Sequence, residues 1–397
     1  MNKTLIALAV GAAFVAPSAF ADVTLSGSIN MGIALVKSGD GTPVGKANDI
    51  TAATGAKGFS NSQITNNYSN VTIASMEDLG GGLKLDFAYQ MNPNLTNNAA
   101  ITNRNSHIGL VSDSWGGVWW GTNENLYERY YYTIDPLDGA AGIGGNLQML
   151  GTPGYGTVFN DNGAGPPSGS GFYRRTAQTI WYDSPSWGGF TFGAYTTTTA
   201  YKTAAGLNPR IWGIGGKYVG PTLPIQAWIA YESHKDLNGI DAIAGAPLGG
   251  TGSSDNGIQL GGGYTLGDIF LFVNYERLKY QTTGVPLTGD VEYKRSAFSL
   301  GLKWNVPTGY FGAQYIQAQD GKCTFGGGAA CSASDSGARM IGLGYYHTLS
   351  KQSQAYIMAT SVRNKDLASY VLAGAGTPNA APGADHTAIT VGLKHSF

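Results

Sequence analysis

The chain has 397 residues and a formal net charge of −1 at pH 7, and only 12% of its residues are charged. Soluble domains usually carry about 25% charged residues, and a net charge near zero gives no reason to expect a nucleic-acid partner. Beyond residue 21 no continuous apolar run reaches the roughly 18 residues of a spanning helix, which excludes a helical membrane protein. A transmembrane β barrel stays possible, because its strands need apolar side chains only at alternate positions.

The first 21 residues, MNKTLIALAVGAAFVAPSAFA, have the layout of a secretory signal peptide. Lys3 supplies the positive start, residues 5–15 the apolar core, and residues 19–21 a small-x-small cleavage site. A spanning helix would need about 20 apolar residues, and Pro17 follows too soon for that. We therefore predict a signal peptide over 1–21 and one β-barrel domain over 22–397.

Apolar and polar side chains alternate along most of the chain from residue 22 onward. In the segment DVTLSGSINMGIALV, Val23 and Leu25 share one face while Thr24 and Ser26 share the other. The same period-two pattern recurs in GLKLDFAYQ and in RSAFSLGLKW. This pattern is typical of strands with hydrocarbon on one side and water on the other.

Tight turns alternate with long loops, which sets the number of strands. Seven turns rich in Gly, Pro, Asp and Ser are predicted at 77–82, 112–117, 183–189, 219–223, 265–268, 305–309 and 347–352. Seven hairpins plus a first and a last strand give sixteen antiparallel strands. They are predicted at 22–37, 67–77, 82–90, 103–112, 117–123, 172–183, 189–199, 209–219, 223–235, 255–265, 268–281, 290–304, 308–319, 335–347, 352–363 and 385–397. In outer-membrane barrels the short turns face the periplasm, and a sixteen-stranded barrel encloses a water-filled lumen.

Aromatic residues concentrate at the strand ends, as in the girdles of membrane barrels. The candidates are Trp115, Trp119, Trp120, Tyr182, Trp187, Tyr218, Trp304, Tyr345, Tyr346 and Phe397. The last strand, which ends at Phe397, is expected to pair with the first strand and so to remove both sheet edges.

The two cysteines, Cys323 and Cys331, lie in the segment GKCTFGGGAACSASDSG. In an exported protein an even, closely spaced pair favours a disulfide. A metal pair and a redox motif are the alternatives, but the segment has neither a CxxC spacing nor neighbouring histidines.

Five ordered segments resemble signature segments of the general-porin family of Gram-negative bacteria, in its beta-proteobacterial branch. They are SMEDLGGGLK, RNSHIGLVSDSWGGVWWG, QTIWYDSPSWGGFTFGAY, GYYHTLSKQSQAY and AITVGLKHSF. The resemblance implies a trimeric, sixteen-stranded outer-membrane channel whose third long loop, 124–171, folds into the lumen. It also implies that Phe397 is the C-terminal signal read by the barrel-assembly machinery.

The resemblance also implies a set of residues at the pore constriction. The segment IDPLDG resembles the family's acidic loop tip, so Asp135 and Asp138 are acidic candidates, followed by Glu124 and Glu128. On the wall, Arg104 and Arg175 occupy positions where the family has arginines. Asn70 stands where the family usually has arginine and Ala74 where it has a lysine-like residue, so we expect a less basic constriction.

Strand parity gives a second view of the basic candidates. It places Arg175 and Lys84 on the lumen side. Arg104 shares parity with Ile108 and Leu110, which would place it in lipid at a cost of about 2 to 4 kcal/mol at the bilayer midplane. We therefore expect this row to face inward, against the third loop.

These patterns predict passive diffusion of small hydrophilic solutes and ions through a water-filled pore, without any cofactor. The alternative is a substrate-specific channel for anionic or aromatic nutrients, with a stacking surface made of Tyr127, Tyr130, Tyr131 and Tyr132. The expected partners are two further copies of the chain in a homotrimer, outer-membrane lipid and lipopolysaccharide. An enzyme is not expected, because no histidine lies in a GxSxG or HExxH setting.

Overall fold

The structure is a computed structural model, and it describes residues 22–43, 55–96, 100–137, 143–154, 171–204, 206–237, 252–285, 289–326, 333–372 and 381–397. The predicted signal peptide, Asp138 and Cys331 fall outside these ranges and stay predictions. Within the described ranges, no helix is long and apolar enough to cross a membrane.

Strands make up almost all of the regular structure. They are β1 (Asp22–Ser38), β2 (Phe59–Asn66), β3 (Asn70–Gly80), β4 (Leu83–Asn92), β5 (Thr102–Ser112), β6 (Gly116–Glu124), β7 (Arg175–Asp183), β8 (Phe190–Thr197), β9 (Arg210–Val219), β10 (Ile225–Lys235), β11 (Ser253–Leu266), β12 (Ile269–Val285), β13 (Gly289–Val306), β14 (Gly309–Ala318), β15 (Lys322–Phe325), β16 (Ala338–Thr348), β17 (Ser353–Asn364) and β18 (His386–Ser396). The helix α1 (Leu126–Thr133) follows β6, and a 3₁₀ turn covers Asn146–Gln148.

These segments form one closed antiparallel barrel with sixteen strand positions. β2 and β3 both pair with β1 and share one position, and β14 and β15 both pair with β13 and share another. The seven predicted tight turns each connect two neighbouring strands. The barrel closes where β1 pairs with β18, from Ser28 opposite Ser396 to Ser38 opposite His386. The predicted sixteen-stranded barrel and its closure are confirmed.

The second barrel position differs from the prediction, which began it at 67. Segment FSNSQITN in β2 has a single aliphatic residue, Ile64, so alternation could not reveal it. Residues 67–69 interrupt the strand, and Tyr68 there has a φ of 71°. Side chains fix this break, because Asn67 donates to the Tyr356 hydroxyl at 2.8 Å and the Ser69 hydroxyl accepts from the Asn30 N–H at 2.9 Å.

Along many of the strands, exposed apolar side chains alternate with buried side chains, many of which are polar. In β12, Val273 and Tyr275 are exposed, whereas Asn274 and Glu276 are buried. The pleat produces this separation, because successive side chains point to opposite faces. The apolar face forms the outer surface, as in a barrel surrounded by lipid.

Most of the aromatic candidates near the tight turns are on the apolar face, but two are not. Trp115, Trp120 and Trp187 are exposed, as are Trp304 and Phe397. The prediction was wrong for Trp119 and Tyr346. Trp119 stacks on buried Trp181, with ring centroids 5.9 Å apart, and donates to Asp86, while Tyr346 is fully buried. Adjacent residues such as Trp119 and Trp120 cannot share a face.

Candidate functional site

Helix α1 begins directly after β6 and packs against the polar face of the barrel wall. Tyr127 and Tyr131 are four residues apart and therefore share one helix face, which is buried. Asn125 occupies the N-cap position, but its side-chain amide donates to Glu232 of β10 at 3.0 Å instead of capping the helix. The helix ends at Thr133, and Pro136 shortly afterwards cannot continue it.

Two arginines and two glutamates from the predicted constriction form one cluster. Arg175 of β7 pairs with Glu124 of β6, and its Nη2 lies 3.8 Å from Glu128 Oε1 on α1. Arg104 of β5 lies 3.7 Å from the same oxygen of Glu124. All four side chains are at least nine-tenths buried, so the structure brings these four candidates together in direct contact.

Tyr68, in the break between β2 and β3, completes this cluster, and the sequence analysis missed it. Its hydroxyl donates to Glu124 at 2.8 Å and accepts from Arg175 at 2.8 Å. The Arg104 guanidinium lies 4.0 Å from the Tyr68 ring centroid, in cation–π contact. Tyr68 also packs edge-on against Tyr132 of α1. The positive φ of Tyr68 directs its side chain into the cluster. The local sequence does not indicate this φ, because tyrosine is not among the residues that favour positive values.

Glu128 is the member of the cluster that titrates near neutral pH. Burial raises its pKa to about 7, the charge of Arg175 opposes that shift, and the charge of Glu124 adds to it. The Tyr132 hydroxyl donates to Oε1, whereas Oε2 has no hydrogen-bond partner among the residues that the structure describes. The net charge of the cluster therefore changes around neutral pH. Arg104 and Arg175 stay positive, while Glu128 gains or loses its negative charge.

Arg104 lies on the polar face of β5, but Ile108, which was predicted to lie on the same face, does not. A register shift pairs Tyr89 with Ser106 and Met91 with Asn103, so Arg104 and the next residue lie opposite Gln90 alone. This β-bulge reverses the alternation. Arg104 donates to Gln90 at 3.1 Å, while Ile108 is on the exposed face. Arg104 is therefore buried on the polar face, and its role at the constriction stays a prediction, whereas the inward placement of Ile108 was wrong.

A second buried ion pair holds the segment that follows α1. Glu276 of β12 pairs with Arg295 of β13, and both side chains are fully buried. Glu276 also accepts from the hydroxyls of Tyr127 and Tyr131 and from the Gly151 N–H. Arg295 donates to two carbonyl groups, Thr152 O at 2.9 Å and Met149 O at 2.9 Å. Charged residues on the polar rows of NYERLKY and KRSAFSL were the available signal, but their partners in residues 127–152 lie more than 100 residues away.

Further contacts extend this attachment around the wall. Glu232 accepts from His234 at 2.6 Å and from Tyr195, and the His234 ring stacks on Phe172 at 4.3 Å. Among the described residues, no group of three or more His, Cys, Asp or Glu side chains is placed to hold a metal ion. These buried polar groups fasten one element to another.

The tip of the segment packs into a groove lined by glycines on β14 and β16. A Cβ at Gly342 would approach Leu137 Cδ1 to 2.6 Å, and one at Gly344 would approach Leu137 Cδ2 to 2.9 Å. Tyr346 donates to the Leu137 carbonyl. Asp135 is half-buried just before this tip, and its Oδ1 accepts from the Leu137 N–H at 3.0 Å.

The remaining candidates are placed elsewhere. Lys84 lies 3.8 Å from Asp113 in a tight turn, about seven residues along β5 from Arg104, or roughly 23 Å at about 3.3 Å per residue. Asn70 accepts from Gln90 at 3.5 Å, which links it to Arg104 without adding charge. Ala74 of β3 lies opposite Thr24 on one side and Ala88 on the other.

Only one of the two cysteines, Cys323, lies among the described residues. Cys323 of β15 is disulfide-bonded. Cys331 lies outside the described residues, so the predicted pair of Cys323 with Cys331 stays a prediction.

Comparison with known proteins identifies the same architecture. Residues 5–367 match the family model described as Gram-negative porin. The chain is 28% identical over 409 residues to outer membrane porin protein 32 of Delftia acidovorans, with 100% of both chains covered. It resembles the structure of an anion-selective porin from Comamonas acidovorans, with a TM-score of 0.70, 23% identity and coverage of 95% of this chain and 100% of that chain. It also resembles OmpT of Vibrio cholerae in a trimer form, with a TM-score of 0.61, 13% identity and coverage of 95% and 99%.

The family match spans most of the sequence, and the relative from Delftia is matched over its full length. The structural likenesses, at lower identity, support the barrel fold. The protein is thus a multi-pass β-barrel of the outer membrane. The chain belongs to the family of Gram-negative porins.

Proposed function

We propose that this porin conducts small hydrophilic solutes and ions by passive diffusion, through a lumen narrowed by the described parts of the third long loop, residues 126–137 and 143–154. The chain is an outer-membrane channel by family, and porins are channels rather than enzymes. Beyond this family assignment, we propose which segment narrows the channel and which charged residues line the narrow part.

One observation carries this proposal: residues 126–137 and 143–154 are fastened to the polar face of the wall at several separate places. α1 is held through Arg175 on β7 and through Glu276 on β12, and the tip is held by Tyr346 on β16. A segment attached across this width would cross the lumen and reduce its section. Buried hydrogen bonds to charged groups are worth about 1.5 to 3 kcal/mol each, so the constriction would be stable.

The charges at the constriction support weak ion selectivity. Glu124 contacts both Arg104 and Arg175, and Glu128 contacts Arg175, so the two arginine charges are largely compensated at pH values where Glu128 is ionised. Asn70 and Ala74 add no positive charge. A field from paired charges falls off faster than that of an open basic row. We therefore expect a weaker anion preference than that of a fully basic relative.

The proposal extends to the partners of the barrel. The trimer form reported for OmpT of Vibrio cholerae supports assembly as a homotrimer. The exposed apolar face would contact outer-membrane lipid, and lipopolysaccharide would surround the long loops. Phe397 would serve as the C-terminal signal for the barrel-assembly machinery. We propose no enzymatic activity and no cofactor.

A substrate-specific channel for anionic or aromatic nutrients is the second candidate. The relative from Comamonas, described as anion-selective, is compatible with the anionic version. The aromatic version has less support, because Tyr127 and Tyr131 are buried and hydrogen-bonded to Glu276. Block of the current by a single solute at saturating concentration would favour this candidate.

Liposome swelling tests the diffusion proposal. Proteoliposomes containing the full chain are diluted into uncharged sugars of increasing size. We expect the swelling rate to fall smoothly with sugar size, because sieving by width recognises no particular sugar. Swelling with one sugar and no other of similar size would contradict passive diffusion.

A further inference from the structure

A basic patch lies on the outer surface of β12, β13 and β15. Its members are Arg277, Lys279, Lys294 and Lys322. Lys279 lies directly opposite Lys294, and Lys294 lies directly opposite Lys322. The buried cross-strand neighbours Tyr280 and Tyr293 point inward, so the alternating lysines point outward.

The patch carries more positive than negative charge. Glu292 is shared by two lysines, 2.8 Å from Lys279 and 2.7 Å from Lys294. Neither Arg277 nor Lys322 makes an ion pair with any residue in the described ranges. The neighbouring residues 286–288 and 327–332 contain no acidic residue in the sequence. Among the described residues of β13, Asp290 is the one other carboxylate on this side of the strand. Four cations therefore face two carboxylates.

Such an arrangement is unfavourable for the isolated protein. Like charges directly opposite on neighbouring strands destabilise a sheet. The three lysines form a continuous row of this kind across three strands, and Glu292 compensates only part of it. An anion that bridged the strands from outside would stabilise this row.

The depth of the patch identifies where that anion would come from. Lys279 is about ten residues along β12 from Ile269, which follows a tight turn, or roughly 33 Å at about 3.3 Å per residue. A strand tilt of about 40° reduces this to roughly 25 Å across the bilayer, which is the height of the apolar band of such barrels. The patch is thus at the membrane interface on the side away from the tight turns.

Between the patch and the tight turns, aromatic side chains come first and aliphatic side chains follow, as at a membrane interface. Tyr275 lies opposite Phe298, and the Phe298 ring is 6.1 Å from that of Tyr315. Exposed Val273 and Leu300 follow toward the tight turns. Aromatic rings mark the headgroup boundary and aliphatic side chains the hydrocarbon, so the lysines lie at the level of lipid headgroups.

We propose that the basic patch binds the phosphate groups of a phosphorylated lipid of the outward-facing leaflet, whose acyl chains pack on Tyr275, Phe298 and Val273. This inference rests on the proposed function in one respect, the placement of the tight turns toward the periplasm. The occupant is a lipid and not free phosphate, because the basic row continues directly into an exposed aromatic and aliphatic surface.

Native mass spectrometry of the full chain in detergent tests the site, with bisphosphorylated lipid A as the probe. The same lipid A without its phosphates and inorganic phosphate are the two comparison ligands. We expect retention of the bisphosphorylated lipid to fall roughly fivefold for each lysine removed in K294Q and in the triple variant K279Q/K294Q/K322Q. K351Q, an exposed lysine in a tight turn at the opposite rim, is the matched control and keeps wild-type retention.

E292Q provides a test that does not weaken the patch. Loss of this carboxylate increases the net positive charge, so lipid retention should rise several-fold. Equal retention of the two lipids, or no change in the triple variant and in E292Q, would overturn the proposal. Retention of inorganic phosphate without lipid would assign the patch to a free anion and overturn it equally.

Conductance of the same preparations separates this inference from the proposed function. The triple variant should conduct like the wild type in bilayers free of lipid A, because the patch is on the outer surface. A wild type that binds lipid A but does not conduct would refute the channel proposal and leave the lipid site standing.

Discussion

Arg175 on β7 and Glu128 on α1 lie 3.8 Å apart, Nη2 to Oε1, and this pair joins the barrel wall to the segment that we propose narrows the lumen. Both side chains are almost fully buried. Their charges are therefore poorly screened, and any change in either one alters the field at this place directly.

The first prediction concerns pH. The raised pKa of Glu128, about 7, means that its carboxyl is charged at pH 8 and neutral at pH 5.5. Acidification thus removes a negative charge while both arginines keep theirs, so anion preference should increase as pH falls through about 7. Reversal potentials in a salt gradient measure this. E128Q should show the acidic-pH selectivity at both pH values, and an unchanged titration in E128Q would assign the effect to another group.

The second prediction concerns the basic residues. Replacing Arg175 with Gln removes a cation that contacts both Glu124 and Glu128, so the channel should shift toward cation preference. K84Q is the control, because Lys84 is half-exposed, pairs with Asp113 near a tight turn and lies well away from the cluster. Reversal potentials that move as far for K84Q as for R175Q would place the selectivity-determining charges elsewhere.

The third prediction concerns the buried pair of Glu276 and Arg295. R295M leaves Glu276 unpaired in the interior, which typically costs about 3 to 5 kcal/mol. It also frees the carbonyls of Met149 and Thr152, so we expect lower thermal stability and a noisier open-channel current. The exposed pair of Arg363 and Asp385 is the control, since such pairs contribute about 0 to 1 kcal/mol.

A double variant separates loss of the pair from loss of the attachment. E276M/R295M leaves no unpaired charge, so its stability should exceed that of R295M alone. Its current should nevertheless stay noisy, because the hydrogen bonds to Tyr131 and Gly151 are absent. A quiet current in the double variant would show that this pair does not hold the segment.

The fourth prediction concerns the C-terminus. Phe397 exchanges two backbone hydrogen bonds with Gly27, at 3.0 and 3.1 Å, and its exposed ring lies beside that glycine. Deletion of Phe397 should reduce the yield of folded protein in cells while the protein that does fold conducts normally. F397Y keeps an aromatic ring and should assemble like the wild type. Wild-type yield after the deletion would rule out a role in assembly.

The barrel could be predicted from the sequence because its determinants are local. Alternation, turn residues and the order of hairpins give sixteen strands without any knowledge of distant contacts. β2 was not predicted because Ile64 is its single aliphatic residue and no alternation is visible. The position of this strand is set by its pairing with β1. The assignments of Trp119 and Tyr346 were wrong because closeness to a turn does not determine which face of the strand a side chain occupies.

The constriction could be predicted only in part. Resemblance pointed to Arg104, Arg175, Glu124 and Glu128, and all four meet in one cluster. Their direct pairing, the bulge that turns Arg104 inward and the bridging role of Tyr68 all depend on segments brought together by closure of the barrel. No local pattern contains that information.

Single-channel recording in planar bilayers tests the central claim most directly. For a water-filled pore we predict discrete steps whose conductance is linear in voltage near zero and rises in proportion to salt concentration. Absence of steps, or conductance that saturates as one solute occupies a binding site, would contradict passive diffusion through an open lumen.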